Sequence, residues 1–153
     1  MKVVFVCHGN ICRSPMAERV ARSFADEQGL DVEFSSAGVS TEELGNPIDP
    51  RAREVLDEAG YDSSKHRAHQ ITADEIRGAD LVLAAEEHHL DRMRRLAPEA
   101  RNMRLISDFD PQAEPGEGLP DPWYGELDGF HQTLAAVERS MPALMEEIGR
   151  LQS

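Results

Sequence analysis

The hydrophobic positions of the chain fall into short continuous runs separated by longer amphipathic stretches. The β-branched and aromatic run "KVVFV" (2–6) and the run "DLVLAA" (80–85) are typical of strands buried on both faces of a sheet. The segments "DVEFSSAG" (31–38) and "NMRLIS" (102–107) predict two further strands. Amphipathic stretches separate these runs, which indicates that strands and helices alternate along the chain.

The best-marked helix follows the first strand. Ser14 and Pro15 are residue types preferred at an N-cap and at the first helical position, and Gly29 marks the helix end. Further helices are predicted at 51–59 after Asp49-Pro50, after the Thr72–Glu75 capping box, at 86–97 and from about 126 to 151. Because strands that alternate with helices usually pair in parallel, we predict a single α/β domain over residues 1–153, with helices on both faces of a parallel sheet.

Composition and charge narrow the classes of function. The chain has 153 residues, 40% apolar and 29% charged, as in an ordinary globular domain. Its net charge of −13 argues against general binding to nucleic acids or anionic membranes, because both require a basic surface. No apolar run approaches the roughly 20 residues that span a bilayer, and two cysteines do not make a disulfide framework. We therefore expect a cytoplasmic protein with reduced thiols and no nucleic-acid or membrane partner.

Both cysteines lie in the turn "CHGNICRS" (7–14), between the first strand and the first helix. Cys7 ends the strand, at the edge of a parallel sheet where ligands usually bind. A loop that enters a helix N-terminus can direct several backbone N–H groups at one point, and the helix dipole adds positive potential. Gly9 and Asn10 permit a tight bend, and Arg13 offers a two-pronged donor for an oxyanion. The turn therefore predicts a phosphate-binding loop that also favours the thiolate of Cys7.

The spacing within this turn suits attack of sulfur on phosphorus. Five residues between Cys7 and Arg13 let the loop surround three phosphate oxygens with the sulfur beneath the phosphorus, where Ser14 can hydrogen-bond to it. A Walker-type loop would carry a lysine and no nucleophile, and this turn has no lysine. The competing interpretation is a buried structural cysteine, the usual fate of a free Cys. The C-x5-R-S spacing between a buried strand and a Ser-Pro helix start favours the phosphate loop.

Phosphoryl transfer to sulfur also requires an acid that protonates the leaving oxygen. Candidates in the long Pro/Gly/Asp-rich segment 108–125 are Asp108, Asp110 and Asp121. Asp121 lies in "DPWYG" beside Trp123 and Tyr124, two rings that can wall an aromatic leaving group. From the spacing alone, Asp121 fits a general acid and an ordinary Asp-Pro turn equally well.

Several segments together resemble one known family. In chain order they are "VCHGNICRSPMAE" (6–18), "SAG" (36–38), "DPRA" (49–52), "HRAHQIT" (66–72), "DLVLAAEE" (80–87) and "DPWYG" (121–125). Over nearly the whole length, the chain resembles the low-molecular-weight protein tyrosine phosphatases. The resemblance implies a four-stranded parallel sheet and a cysteinyl-phosphate mechanism that uses neither a metal nor another cofactor.

Carried over residue by residue, the resemblance assigns roles within the site. It implies that Cys7 is the nucleophile, Arg13 the phosphate-binding arginine and Asp121 the general acid, with Ser14 stabilising the thiolate. Cys12 matches a second cysteine that can pair with oxidised Cys7, which would make the site redox-sensitive. The residues implied to brace the loop are Asn10, Ser36 and His66. The residues expected to contact substrate are His8, Gly9, Asn10, Ile11, Cys12, Ser14, Trp123 and Tyr124.

A few positions depart from the family's common pattern. His8 replaces a small or apolar residue at the pocket rim, Trp123 replaces a tyrosine, and Glu86 replaces an aspartate. The segment "STEELGN" (40–46) lacks a tryptophan that some members carry. We expect these departures to alter the pocket and its substrate preference without touching the chemistry. Solvated surface positions, without metal-ligand spacing, are predicted for His69, His88, His89 and His131.

Three alternatives share or mimic this pattern. Arsenate reductases with the same loop need further cysteines, and this chain has none after Cys12. Protein arginine phosphatases typically carry a threonine at the position of Ile11, whose apolar side chain instead suits a phenyl ring. A non-catalytic phosphoprotein-binding module would need neither Cys7 nor Asp121. We therefore predict a protein tyrosine phosphatase, monomeric or weakly dimeric, whose partners are phosphotyrosine proteins and a cognate tyrosine kinase.

Overall fold

The computed structural model describes residues 1–123 and 125–153 of the chain. Its strands are β1 (Lys2–Cys7), β2 (Glu33–Gly38), β3 (Leu81–Ala84) and β4 (Met103–Leu105). Its helices are α1 (Arg13–Gln28), α2 (Pro50–Glu58), α3 (Ala73–Gly78), α4 (Glu87–Leu96) and α5 (Leu127–Gln152), and a short 3₁₀ helix covers Ile106–Phe109. The strands form one parallel sheet in the order β2-β1-β3-β4, which confirms the predicted four-stranded α/β fold.

The side chains of β1 show how both faces of the sheet are covered. Val3 and Phe5 pack with residues of α1, α2 and α5 on one face. Val4 and Val6 pack with residues of α3 and α4 on the other. Because β1 is a central strand, its last residue, Cys7, lies in the middle of the carboxyl edge of the sheet, where α/β proteins bind ligands.

Most helix ends follow the predicted signals. The Asp49 side chain accepts the Arg51 backbone N–H, and that of Thr72 accepts the Glu75 N–H. Gly29 ends α1 with φ of 68°, a conformation that glycine adopts without strain. Within the described part of the chain, no helix is long and apolar enough to cross a membrane.

Two local predictions were wrong. The helix α1 begins at Arg13 with Cys12 at its N-cap, so Ser14 is not the cap; its hydroxyl is engaged by Cys7 and Asn10 instead. The fourth strand is shorter than predicted, because the chain turns into the 3₁₀ helix directly after Leu105. There the Asp108 carboxylate accepts the backbone N–H of Leu105 and stabilises the turn.

Candidate active site

The loop between β1 and α1 lines a pocket and keeps backbone N–H groups that are not used within the described protein. Its carbonyl groups are engaged on the outside, where those of Cys7, His8 and Ile11 accept backbone N–H groups from Val39, Ser40 and Asp49 at 3.0, 3.0 and 2.8 Å. Within the part of the chain that the structure describes, no backbone N–H of residues 9–12 donates to a protein backbone or side-chain group. These N–H groups are therefore available to an anion.

Asn10 holds this loop in shape. Its φ of 61° lies in the left-handed region, which asparagine tolerates better than most residues. Its buried side-chain amide donates to the hydroxyls of Ser14 at 2.8 Å and Ser36 at 3.0 Å, and its side-chain oxygen accepts the His69 N–H at 3.0 Å. One side chain thus ties the loop to α1, to β2 and to the segment before α3.

The hydroxyl of Ser14 lies 3.0 Å from the Cys7 sulfur. Because the Asn10 amide already donates to the Ser14 oxygen, the hydroxyl hydrogen is left to point at the sulfur. A hydrogen bond donated to a charged acceptor is stronger than one donated to a neutral acceptor. The Ser14 hydroxyl is therefore oriented to donate a hydrogen bond to negative charge on the Cys7 sulfur.

His66 and Ser36, the other two residues that the resemblance implied to brace the loop, both contact Asn10. His66 lies 2.6 Å from the Asn10 carbonyl through Nε2, which must carry the hydrogen because a carbonyl only accepts. Burial lowers the pKa of His66 and favours the neutral ring. The Ser36 hydroxyl donates to the buried Glu18 carboxylate at 2.7 Å, a contact that the sequence did not reveal.

Arg13 is held by partners from two distant segments. Its Nη1 donates to Glu86 at 2.7 Å and to the Leu119 carbonyl at 3.2 Å. Its Nη2 lies 3.7 Å from the Asp121 carboxylate, and its side chain is only 3% exposed. The guanidinium is therefore fixed in orientation at the pocket. We expected the Glu86 departure to alter the pocket without touching the chemistry, but its carboxylate contacts Arg13, the residue implied to bind phosphate.

The sequence carried only part of the signal for Glu86. It follows β3 by two residues, and β3 is adjacent to β1 in the sheet. Residues at or just after the ends of neighbouring parallel strands meet at the same edge of the sheet, as Cys7 and Glu86 do here. The missing information was the strand order, which makes β3 rather than β4 the neighbour of β1.

Of the three candidate acids, Asp121 alone is at the pocket. The Asp108 carboxylate accepts the Leu105 backbone N–H, and Asp110 forms an ion pair with Arg139 at 3.1 Å. The Asp121 side chain is 48% exposed, and its Oδ1 accepts the Trp123 backbone N–H at 3.1 Å. This geometry leaves the other carboxylate oxygen directed towards Arg13.

The pocket above the loop has a volume of about 290 Å³. Its lining residues are Cys7, His8, Gly9, Ile11, Cys12, Arg13, Glu42, Glu43, Asp121 and Trp123. Most predicted substrate contacts are in this set, but Asn10 and Ser14 support the loop from beneath instead. Tyr124, also predicted as a contact, lies outside the described residues. A larger cleft of about 550 Å³ lies at the opposite edge of the sheet, and its described lining residues include no cysteine, serine or histidine.

The rim of the pocket is acidic on one side. Glu42 and Glu43 come from the loop 40–46 and line the entrance. The His8 ring lies 3.2 Å from the Glu42 carboxylate, and both side chains are largely exposed. The rim therefore adds local negative charge beside a loop suited to an anion.

The two cysteines lie in different environments. Burial, reinforced by Asp49 and by Cys7, raises the pKa of Cys12 well above its usual range. Cys12 is therefore a neutral thiol at physiological pH. Cys7 instead faces a hydroxyl donor, the Ser14 side chain at 3.0 Å.

His89 was predicted to be a surface residue, and this prediction was wrong. Its ring is fully buried, and Nδ1 accepts the Glu86 backbone N–H at 3.2 Å at the start of α4. Burial and the nearby Arg13 guanidinium lower its pKa to about 3. Ligand atoms of Glu86, His88 and His89 lie within 4.8 Å of one another. Arg13 and the helix N-terminus both oppose a cation there, because each is positive.

Gly38 permits the close approach of β2 to the loop. A Cβ at this position would lie 2.8 Å from the His8 carbonyl oxygen and 3.1 Å from the Asn10 nitrogen. Both neighbours are backbone atoms, so the loop itself would have to move. The glycine of "SAG" thus has a steric reason, which the sequence alone did not provide.

The fold and the loop define an α/β protein with a cysteine-containing anion-binding loop at the carboxyl edge of a parallel sheet. Comparison with known proteins identifies the family. Residues 2–153 match the family model of the low molecular weight phosphotyrosine protein phosphatases, and the chain belongs to that family.

Individual relatives agree with this assignment. The chain is 41% identical to a low molecular weight protein-tyrosine-phosphatase from Streptomyces coelicolor, over 96% of this chain and 93% of that protein. Its fold matches a protein tyrosine phosphatase from Entamoeba histolytica with a TM-score of 0.93 at 27% identity, over 100% and 99% of the two chains. It also matches the arginine phosphatase YwlE of Bacillus subtilis, in a form with a phosphorylated active-site serine, with a TM-score of 0.87 at 29% identity, over 98% and 97%.

Proposed function

We propose that the 153-residue chain acts as one phosphatase domain that hydrolyses phosphotyrosine in proteins through a cysteinyl-phosphate intermediate. The observation that carries the proposal is that Cys7 and Arg13, from one loop, meet Asp121, from a distant segment of the chain, in one pocket. A nucleophile, a fixed cation and a carboxyl group are the three parts that such a reaction requires.

In the first step, the phosphate dianion binds to the N–H groups of the loop and to the Arg13 guanidinium. The Cys7 thiolate then attacks phosphorus, forming a P–S bond while the bond from phosphorus to the tyrosine oxygen breaks. Protonated Asp121 gives its proton to that oxygen, so tyrosine leaves as the neutral phenol. The loop N–H groups are preorganised for the charge on the equatorial oxygens, because their carbonyls are already held on the outside.

In the second step, the Asp121 carboxylate accepts a proton from a water molecule, whose oxygen attacks phosphorus. The P–S bond breaks, inorganic phosphate forms, and Cys7 returns as a thiolate. The Ser14 hydroxyl, 3.0 Å from the sulfur, stabilises this leaving thiolate.

Ile11 and Trp123 support an aromatic substrate. Both line the pocket, and they offer apolar surface to a phenyl ring above the phosphate site. A protein arginine phosphatase is the second candidate, supported by the likeness to YwlE. Ile11 argues against it, because an apolar side chain gives no hydrogen bond to a phosphoramidate. A non-catalytic phosphoprotein-binding module has no use for Asp121 beside the phosphate site.

Phosphate release from phosphotyrosine, phosphoserine and phosphoarginine peptides in EDTA tests the proposal. We expect fastest release from phosphotyrosine, no release by Cys7→Ser, and a loss of about a hundredfold or more in Asp121→Asn. Equal release by the Cys7→Ser variant would refute the covalent mechanism. A strong preference for phosphoarginine would establish the second candidate instead.

The proposal also assigns a setting and a protective reaction. Its protein substrates require a tyrosine kinase that phosphorylates them, and the two free thiols suit the cytoplasm. If peroxide converts Cys7 to a sulfenic acid, the Cys12 thiol can attack that sulfur, forming a disulfide and releasing water. Reduction by a thiol would then restore Cys7.

A further inference from the structure

We propose that Arg51, in α2, is a positioning residue for the general acid. In this inference, which rests on the proposed function, Arg51 holds the turn at Trp123 over the phosphate loop and so orients Asp121. Arg51 does not line the pocket, and nothing in its sequence neighbourhood indicates contact with a turn more than 70 residues away. Its role follows from four oxygen atoms that accept hydrogen bonds from its guanidinium.

The first two of these oxygen atoms are backbone carbonyls of the turn. Nη1 of Arg51 donates to the backbone carbonyls of Trp123 at 3.1 Å and of Gly125 at 2.9 Å. The guanidinium carbon also lies 5.6 Å from the centre of the Trp123 ring and 4.6 Å from that of Phe130, near the start of α5. These distances are typical of cation–π contacts. Arg51 therefore restrains both the backbone of the turn and the ring that walls the pocket.

The other two oxygen atoms belong to the carboxylate of Asp49. Nε of Arg51 donates to Oδ1 at 3.1 Å, and Nη2 donates to Oδ2 at 2.9 Å. Asp49 is itself anchored, because its backbone N–H donates to the Ile11 carbonyl of the phosphate loop at 2.8 Å. One guanidinium thus connects the acid turn to the loop that holds the phosphate.

The restraint reaches Asp121 through Trp123. While Arg51 holds the Trp123 carbonyl, the Trp123 N–H holds Oδ1 of Asp121 at 3.1 Å. The second oxygen is then directed to the pocket, 3.7 Å from Arg13. The Asp121 side chain is half-exposed, so without this restraint it would sample solvent-facing orientations that cannot protonate the leaving group.

Only an arginine can make all of these contacts at once. The planar guanidinium carries donors in a fixed fork, which suits one carboxylate and two carbonyls together. A lysine would keep the charge but would offer one point of contact. Arg51→Lys should therefore retain part of the effect, and Arg51→Ala should lose it.

The test measures kcat/KM on aryl phosphates that differ in how readily the phenolate leaves. Phenyl phosphate, like phosphotyrosine, needs the proton from Asp121, whereas p-nitrophenyl phosphate needs it far less. We expect Arg51→Ala to lower kcat/KM about tenfold or more for phenyl phosphate and no more than about twofold for p-nitrophenyl phosphate. Inhibition by inorganic phosphate should stay close to that of the wild type, because the phosphate loop is not altered.

Two comparisons separate positioning from a general loss of structure. Arg53→Ala removes an arginine from the same helix and should behave as the wild type. The Arg53 side chain is 61% exposed, and its acidic neighbour, Asp57, is 3.8 Å away. In an Asp121→Asn background, adding Arg51→Ala should produce no further loss on phenyl phosphate. If Arg51→Ala does not fold, Arg51→Lys carries the test and should show a smaller loss confined to phenyl phosphate.

The outcomes distinguish this inference from the proposed function. An active wild type whose Arg51 variants match Arg53→Ala would overturn the inference alone. Equal losses on both substrates, persisting in the Asp121→Asn background, would also overturn it. An inactive wild type would overturn the proposed function, and the inference with it.

Discussion

The burial of His89 predicts a measurable dependence of stability on pH. The ring is completely enclosed at the start of α4, where its Nδ1 accepts the Glu86 N–H. Burial and the charge of Arg13 lower its pKa from 6.5 to about 3. The folded protein therefore keeps this histidine neutral in a pH range where the unfolded chain protonates it. Stability from this group is present above pH 6.5 and is lost as the pH falls towards 3.

The size of the effect follows from proton linkage. At pH 5, an unfolded histidine with a pKa of 6.5 is almost fully protonated, whereas His89 in the folded state is almost fully neutral. One proton taken up only by the unfolded chain costs about 1.4 kcal/mol per pH unit. Between pH 7 and pH 5, His89 therefore lowers the free energy of unfolding by about 2 kcal/mol. This value changes little for any folded pKa below about 4.

The assay is urea unfolding at pH 7 and pH 5, followed by far-ultraviolet circular dichroism. The variant is His89→Asn, whose side-chain oxygen can still accept the Glu86 N–H. We expect it to be less stable than the wild type at pH 7, because of the lost ring, but to lose about 2 kcal/mol less between the two pH values. His131→Asn, at an exposed position of α5, is the control and should follow the wild type. An identical loss in His89→Asn and in the wild type would refute the reasoning.

Two further predictions concern the loop and its rim. Gly38→Ala places a Cβ 2.8 Å from the His8 carbonyl, so it should weaken inhibition by inorganic phosphate about tenfold and destabilise the fold by about 1–3 kcal/mol. Gly149→Ala, where an added Cβ meets nothing within 4 Å, is its control, and unchanged phosphate inhibition in Gly38→Ala would contradict the steric argument. For the wild type, we expect the turnover of acidic phosphotyrosine peptides to rise with salt concentration. The double variant Glu42→Lys/Glu43→Lys should raise kcat/KM for these peptides about fivefold and make it less dependent on salt. The control is Asp26→Lys/Glu27→Lys, which makes the same change in net charge at the far end of α1 and should have little effect. If the wild type cleaves acidic peptides fastest at low salt, the electrostatic argument is refuted.

Local features of the site were predictable because they depend on residues close together in the chain. The residue types that predict a phosphate loop all lie within the eight residues 7–14, between the buried strand that ends at Cys7 and the helix that begins at Arg13. The caps Asp49 and Thr72 were predictable for the same reason, since a cap bonds to N–H groups two or three residues away. Ser14 shows the limit of such local prediction. Its residue type suits a helix cap, yet its hydroxyl contacts the Cys7 sulfur at 3.0 Å instead of a backbone N–H.

The sequence by itself determined the alternation of strands and helices, the residues of the candidate phosphate loop and a short set of candidate acids. Only the tertiary structure decided which distant groups complete the site: Glu86 on Arg13, Asp121 at the pocket and Arg51 across the acid turn. The physical reason is that these contacts depend on the strand order β2-β1-β3-β4 and on where the long loops return to the carboxyl edge. Periodicity specifies which face of an element is buried, but it does not specify which element covers that face. His89 is the plainest case, a polar residue that the packing of α4 encloses.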